Sequence, residues 1–183
     1  PPPRPRPAPA TRKAPPRATR ARKPGAPKLL VEQGCFEDGA RLVCGIDEVG
    51  RGAWAGPVSV GAVVIGPAPR RIQKVRDSKE LTLEQREALY PKIVGWALAS
   101  SVGHASAAEC DHLGMTAALR LAAERALAGL AADGCVPDRI ILDGNHDYLG
   151  RPDQVRTVVD GDVTAAFTAV GTVGLPALAW GRR

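Results

Sequence analysis

Aromatic side chains are scarce in this 183-residue chain, with three Trp, two Tyr and two Phe. A core must therefore be filled mostly by aliphatic residues. Nowhere does the sequence approach the roughly 18 consecutive apolar residues that a membrane-spanning helix needs, which excludes a helical membrane protein and leads us to expect a soluble, cytoplasmic chain. The four cysteines, Cys35, Cys44, Cys110 and Cys135, lack a Cys-x-x-Cys spacing and follow no secretory signal. Structural zinc and a disulfide framework are both disfavoured on that basis, and reduced thiols are expected.

Acidic residues are missing from one region altogether. Residues 1–28 carry nine Lys or Arg and no Asp or Glu, leaving 16 basic against 19 acidic residues, a net −3, for the rest of the chain. The overall charge of +6 therefore belongs to a tail. That tail also holds ten of the seventeen prolines and almost no bulky apolar side chains. It cannot bury enough surface to offset the entropy of ordering itself, so disorder is expected. Two roles stay open for it: an arm that binds phosphates irrespective of sequence, or a solvated linker. Residues 29–183 are long enough for one domain with a substantial core.

Within that domain, Leu42–Asp47 and Pro57–Ile65 read as strands joined by a glycine-rich turn at 50–56. Thr82 followed by Gln85 is a capping-box pattern, and Leu89, Tyr90, Ile93, Val94, Ala97 and Leu98 then recur at helical spacing, with Pro91 expected to kink the helix. A short strand over 101–105 comes next. Residues 111–131 read as one alanine-rich helix with Leu113, Leu119, Leu127 and Leu130 inward and Gly134 ending it. Strands over Arg139–Asp143 and Val155–Val159 follow. Paired strands succeeded by helix–strand alternation predict an α/β domain with a mixed sheet.

Three of these strands run into acids: Asp47 with Glu48, Asp143 before Gly144, and Asp162 after Gly161. Carboxylates at strand ends can converge at one sheet edge, where backbone leaves regular geometry and ligands have room. Convergence is costly, because two like charges about 4 Å apart repel by roughly 4 kcal/mol at an effective dielectric near 20. Cations would have to offset it. All-oxygen donors without His or Cys at ligand spacing favour Mg²⁺ or Mn²⁺ over zinc. The same acids could instead cap turns and helices. Asp47 and Glu48 are adjacent, so they share one site only if the strand ends there.

The run Gly45-Ile46-Asp47-Glu48-Val49-Gly50-Arg51-Gly52, continuing through Ala55-Gly56-Pro57-Val58, resembles the signature of the bacterial ribonuclease HII (type 2 ribonuclease H) family. Asp77-Ser78-Lys79 with Leu81, the segment Asp111–Ala126, Leu142-Asp143-Gly144-Asn145 and Gly161-Asp162 match in order, so the resemblance spans roughly residues 29–162. It implies a ribonuclease H-like fold with a central mixed five-stranded sheet flanked by helices. It also implies a catalytic, metal-ligating set of Asp47, Glu48, Asp143 and Asp162, holding Mg²⁺ or Mn²⁺. Substrate contacts are implied for Gly50, Arg51 and Gly52, whose turn would meet the 2′-hydroxyl, and for Lys79. The implied substrates are RNA–DNA hybrids and duplex DNA carrying single ribonucleotides, cut on the 5′ side to leave a 5′-phosphate during ribonucleotide excision. The implied chain is a monomer with no membrane partner.

After Asp162 the sequence departs from that pattern. Asp160 replaces a Lys, the family's Ala-Ala-Ala-Ser, Leu-Ala-Lys and Arg-Asp runs are missing, and Gly171, Gly174 and Pro176 are poor material for the helix expected there. The segment from about 165 is thus expected to be atypical, the product of a shifted or shortened reading frame, with weakened packing behind Asp162. The competing expectation to an active endonuclease is a catalytically impaired, nucleic-acid-binding remnant.

Overall fold

The computed structural model describes residues 29–51, 56–69 and 81–159. Helix α1 (Leu30–Glu37) precedes strands β1 (Val43–Val49) and β2 (Val58–Ile65), then α2 (Leu83–Trp96) and β3 (Ala99–Ala105). Helices α3 (Ala107–Leu113) and α4 (Met115–Ala132) lead into β4 (Arg139–Asp143) and β5 (Val155–Val158). The five strands form one mixed sheet in the order β3-β2-β1-β4-β5. β1 is antiparallel to β2 and parallel to β4, β3 is antiparallel to β2, and β5 is parallel to β4. The expected ribonuclease H-like architecture is therefore present.

Burial explains the strand composition. Every residue of β2 is buried, as are Val43 to Asp47 of β1 and Ile140 to Leu142 of β4, the continuous apolar pattern of strands covered on both faces. Helix α4 packs across β3 and β2 on a stripe of Ala118, Ala122 and Ala126, all fully buried. Small side chains let the helix come close. At Gly103 of β3 the approach is so tight that an added Cβ would overlap the Ala122 carbonyl and lie 2.5 Å from the Ala126 nitrogen. Only glycine fits there.

Three helix expectations change. The segment read as one helix over 111–131 is two helices, divided at Gly114, whose φ of 77° breaks the helical path. Leu113, expected inward, ends the short first helix and is 44% exposed, whereas Leu119, Leu127 and Leu130 are buried as expected. Helix α2 starts at the Thr82–Gln85 capping box and contains Pro91 within a single element, but it stops at Trp96. Leu98 therefore lies beyond the helix, where its N–H donates to the Val64 carbonyl and its side chain is 63% exposed. Helix α1 was not expected at all. The basic tail, the segment from about 165 and the atypical packing behind Asp162 lie outside the described residues.

Candidate active site

The mixed topology decides which strand ends meet. β1, β4 and β5 run in the same direction, so their carboxyl ends emerge at one edge of the sheet. Ile46 pairs with Leu142, and one step further along both strands stand Asp47 and Asp143, on the same face. Neighbouring strands lie about 4.8 Å apart. The two acids are therefore brought together by register alone. Gly144 follows Asp143 at a φ of 100°, letting the backbone leave the strand immediately. β5 delivers the chain to the same edge, with Val158 beside Asp143. Asp162 lies outside the described residues, as do Gly52 and Lys79.

Asp47 is buried to 8% exposure, and its Oδ1 accepts the Glu48 N–H at 2.7 Å. The strand does not end between these two acids, as a shared site was expected to require. β1 continues to Val49, with Glu48 opposite Val60 and Val49 opposite Ser59. Glu48 consequently projects from the opposite face to Asp47, the face of Val60 and Gly103 against which α4 packs. There its Oε1 accepts from Arg51 Nη1 at 3.1 Å, in an ion pair whose carboxylate side is mostly buried. Gly50 makes that turn possible. Its φ is 101°, and an added Cβ would stand 2.7 Å from the Pro57 carbonyl oxygen, so any larger residue would be strained twice over.

One residue of this edge was missed. Tyr148, four residues beyond Gly144, is 8% exposed, and its hydroxyl has no hydrogen-bond partner among the described residues. Burial raises its pKa far above the usual phenol range, and the charges of Glu48, Asp47 and Asp143 push the same way while Arg51 opposes them. The phenol thus stands within electrostatic reach of all three described acids and stays protonated. His146 nearby is exposed, in keeping with a surface histidine.

Acid-only donors suit a hard cation such as Mg²⁺ or Mn²⁺. Among the described residues, however, no three His, Cys, Asp or Glu side chains gather closely enough to hold one. Asp47 and Asp143 supply a pair; Glu48 is turned towards Arg51 on the other face. All four cysteines are free, as expected.

Known proteins share both the sequence and the architecture. A family model described as Ribonuclease HII matches residues 44–177, continuing 15 residues past Asp162, where the resemblance read from motifs stops. Ribonuclease HII of Streptomyces griseus is 54% identical over 135 residues, covering 74% of this chain and 56% of that protein. Ribonuclease HII of Ralstonia nicotianae is 49% identical over 106 residues, covering 58% and 44% respectively. The chain thus spans about half the length of the curated relatives it matches. Among solved structures, ribonuclease H2 from Pyrococcus horikoshii superposes with a TM-score of 0.62 at 25% identity, covering 77% of this chain and 72% of that one. With the parallel strands that carry Asp47 and Asp143 inside the matched region, the chain belongs to the ribonuclease HII family.

Proposed function

We propose that this chain is a metal-dependent endonuclease that hydrolyses the RNA strand of RNA–DNA hybrids and cuts duplex DNA 5′ to a single embedded ribonucleotide. The observation that carries this reading is the register that stands Asp47 beside Asp143 at the carboxyl edge of a ribonuclease HII-family sheet. Asp47, Glu48, Asp143 and Asp162 would hold Mg²⁺ or Mn²⁺. Bound there, a pair of such ions supplies activation of the attacking water and stabilisation of the leaving oxygen in phosphodiester hydrolysis.

The rest is the work of the chain's own groups. The buried Asp47 is held by its neighbour's N–H, so its second oxygen keeps one direction. The Gly50-Arg51 turn, completed by Gly52, offers backbone donors and acceptors to the 2′-hydroxyl, the group that distinguishes a ribonucleotide from a deoxyribonucleotide. Arg51, whose side chain is 64% exposed, is available to a phosphate once it leaves Glu48. That departure would free Glu48 from its ion pair. Lys79 is proposed as a further phosphate contact. The basic residues of 1–28 add a sequence-independent attraction to nucleic acid that weakens steeply with salt. A monomer acting in the cytoplasm completes the proposal; no helix among the described residues is long and apolar enough to cross a membrane.

A second reading, a catalytically impaired nucleic-acid-binding remnant, is favoured by Glu48, which projects from the face opposite Asp47 and pairs with Arg51. One assay separates the two. A labelled RNA–DNA hybrid is incubated with the full chain and Mg²⁺ or Mn²⁺, with and without a chelator. Chelator-sensitive cutting to fragments bearing 5′-phosphates is expected. Retention of the hybrid in a binding assay without any cutting would establish the remnant instead.

A further inference from the structure

Strand β2 reads Val-Ser-Val-Gly-Ala-Val-Val-Ile, every residue of it buried, and Ser59 carries its one polar side chain. A hydroxyl taken out of water costs free energy unless it is hydrogen-bonded. Ser59, at 8% exposure, meets that need across the strand pair: its Oγ lies 2.7 Å from Nδ1 of His104, the residue opposite it on β3. His104 itself is exposed. Its ring is thus anchored at Nδ1, with Nε2 on the side away from the serine.

Register puts this pair on the face of the candidate active site. Ser59 stands opposite Val49, two residues past Asp47, while Glu48, Val60 and Gly103 occupy the other face with α4. Asp47, Val49, Ser59 and His104 therefore share a face with Asp143. With about 3.4 Å per residue along a strand and about 4.8 Å between strands, the His104 backbone is roughly 12 Å from that of Asp47. A duplex carries one charge per about 1.7 Å of its axis, so one seated on the acids lays further phosphates across that distance. Val49, which lies between, is 39% exposed and offers an apolar spot to a sugar.

We propose that His104 is a substrate-binding residue whose Nε2–H donates to a backbone phosphate other than the one cut, and that Ser59 is its positioning residue, donating to Nδ1 and so keeping the ring proton on Nε2. A neutral imidazole has one donor nitrogen and one acceptor, and the bond made by one decides the role of the other. This contact rests on the nucleic-acid reading above and lies outside the acids and the Gly50-Arg51-Gly52 turn.

The test measures binding of a fluorescently labelled RNA–DNA hybrid to the full chain in the presence of a chelator, so that nothing is cut. His104→Ala is expected to weaken binding by about 10-fold, the scale of one hydrogen bond to a charged group, without lowering the melting temperature. His104→Gln, whose amide nitrogen reaches the place of Nε2, should restore most of the loss. Ser59→Ala should weaken binding in the parent chain and change nothing in the His104→Ala chain. Among hybrids that each carry a single uncharged methylphosphonate, one should bind the parent more weakly yet leave His104→Ala indifferent. Equal binding by the parent and His104→Ala, or the same methylphosphonate sensitivities in both, would overturn the inference and leave the pair a contact between strands. Failure of the parent chain to bind the hybrid at all would overturn the nucleic-acid reading itself, and this contact with it.

Discussion

Two regions of the same sheet obey different rules. Where α4 crosses β3 and β2, the interface is apolar and closed: Ala118, Ala122 and Ala126 lie fully buried over Gly103, and Val60 and Ala62 are buried beneath the helix. Where β1, β4 and β5 finish, the same backbone carries Asp47, Glu48 and Asp143, followed by glycines at positive φ. One region gains stability from close contact, and the other gives some up by bringing like charges together. The difference teaches that substitutions in the two places should be read out by different instruments, stability in the first and chemistry in the second.

The sharpest way to break that division is at Gly103. Gly103→Val would drive a side chain into the backbone of α4 and is expected to cost about 3 kcal/mol or more, measured by chemical denaturation. Remaining activity per folded molecule should be unchanged. The converse variant is Asp143→Asn, which relieves repulsion beside Asp47. Its melting temperature should hold or rise while hybrid cleavage falls by more than about 100-fold, since even outer-shell partners of a metal cost 10- to 100-fold when removed.

A smaller effect is expected at the start of α3. Ser106 accepts the Glu109 N–H while the Glu109 carboxylate accepts the Ser106 N–H, so Ser106→Ala should lose about 1 kcal/mol of stability and leave cleavage untouched. The smallest concerns Asp138, which ties the start of β4 to the residues before β1. Its carboxylate accepts the Arg41 and Leu42 N–H groups, at 2.8 and 2.9 Å, and the Leu42 bond is the main cause of its lowered pKa. A carboxyl whose folded pKa lies below its unfolded value of about 3.9 contributes stability that is present above that value. The contribution is lost as pH falls through the lower, folded pKa. Acid denaturation of Asp138→Asn should therefore show a shallower loss of stability below about pH 4 than the parent chain.

Legibility in the sequence follows the same division. Strands β1, β2 and β4 were readable because Val and Ile are frequent in them and because they are largely buried on both faces; Arg139–Asp143 has the bounds the pattern suggests. The mixed five-stranded sheet came from the family resemblance, which the topology bears out. Helix α1 was invisible because Leu29 provides no side-chain cap and a fully buried Glu32 disguises the inward face. The break at Gly114 could have been found, since Ser106 and Glu109 spell a second capping box upstream of it. Leu113 would then have been recognised as the end of a short helix rather than part of a core stripe.

The acids divide differently. That strand-end acids could converge stayed open in the residues alone, and the family resemblance singled out Asp47 and Asp143; their side-by-side placement comes from the parallel register of β1 and β4. The direction of Glu48 was not, because it depends on β1 continuing for two residues past Asp47, which no local pattern announces. Tyr148 carried no signal in the sequence: its significance arises only from the Asp147 and Arg151 contacts that bury it near the acids.

The most direct test of the central claim is cleavage, with Mg²⁺, of a DNA duplex containing one ribonucleotide, comparing the parent chain with Asp47→Asn. Cutting on the 5′ side of the ribonucleotide by the parent, lost in the variant while both chains melt alike, is the predicted result. A folded parent chain that leaves the duplex intact, or a variant that cuts as well as the parent, would contradict the assignment of the chemistry to the carboxyl edge of this sheet.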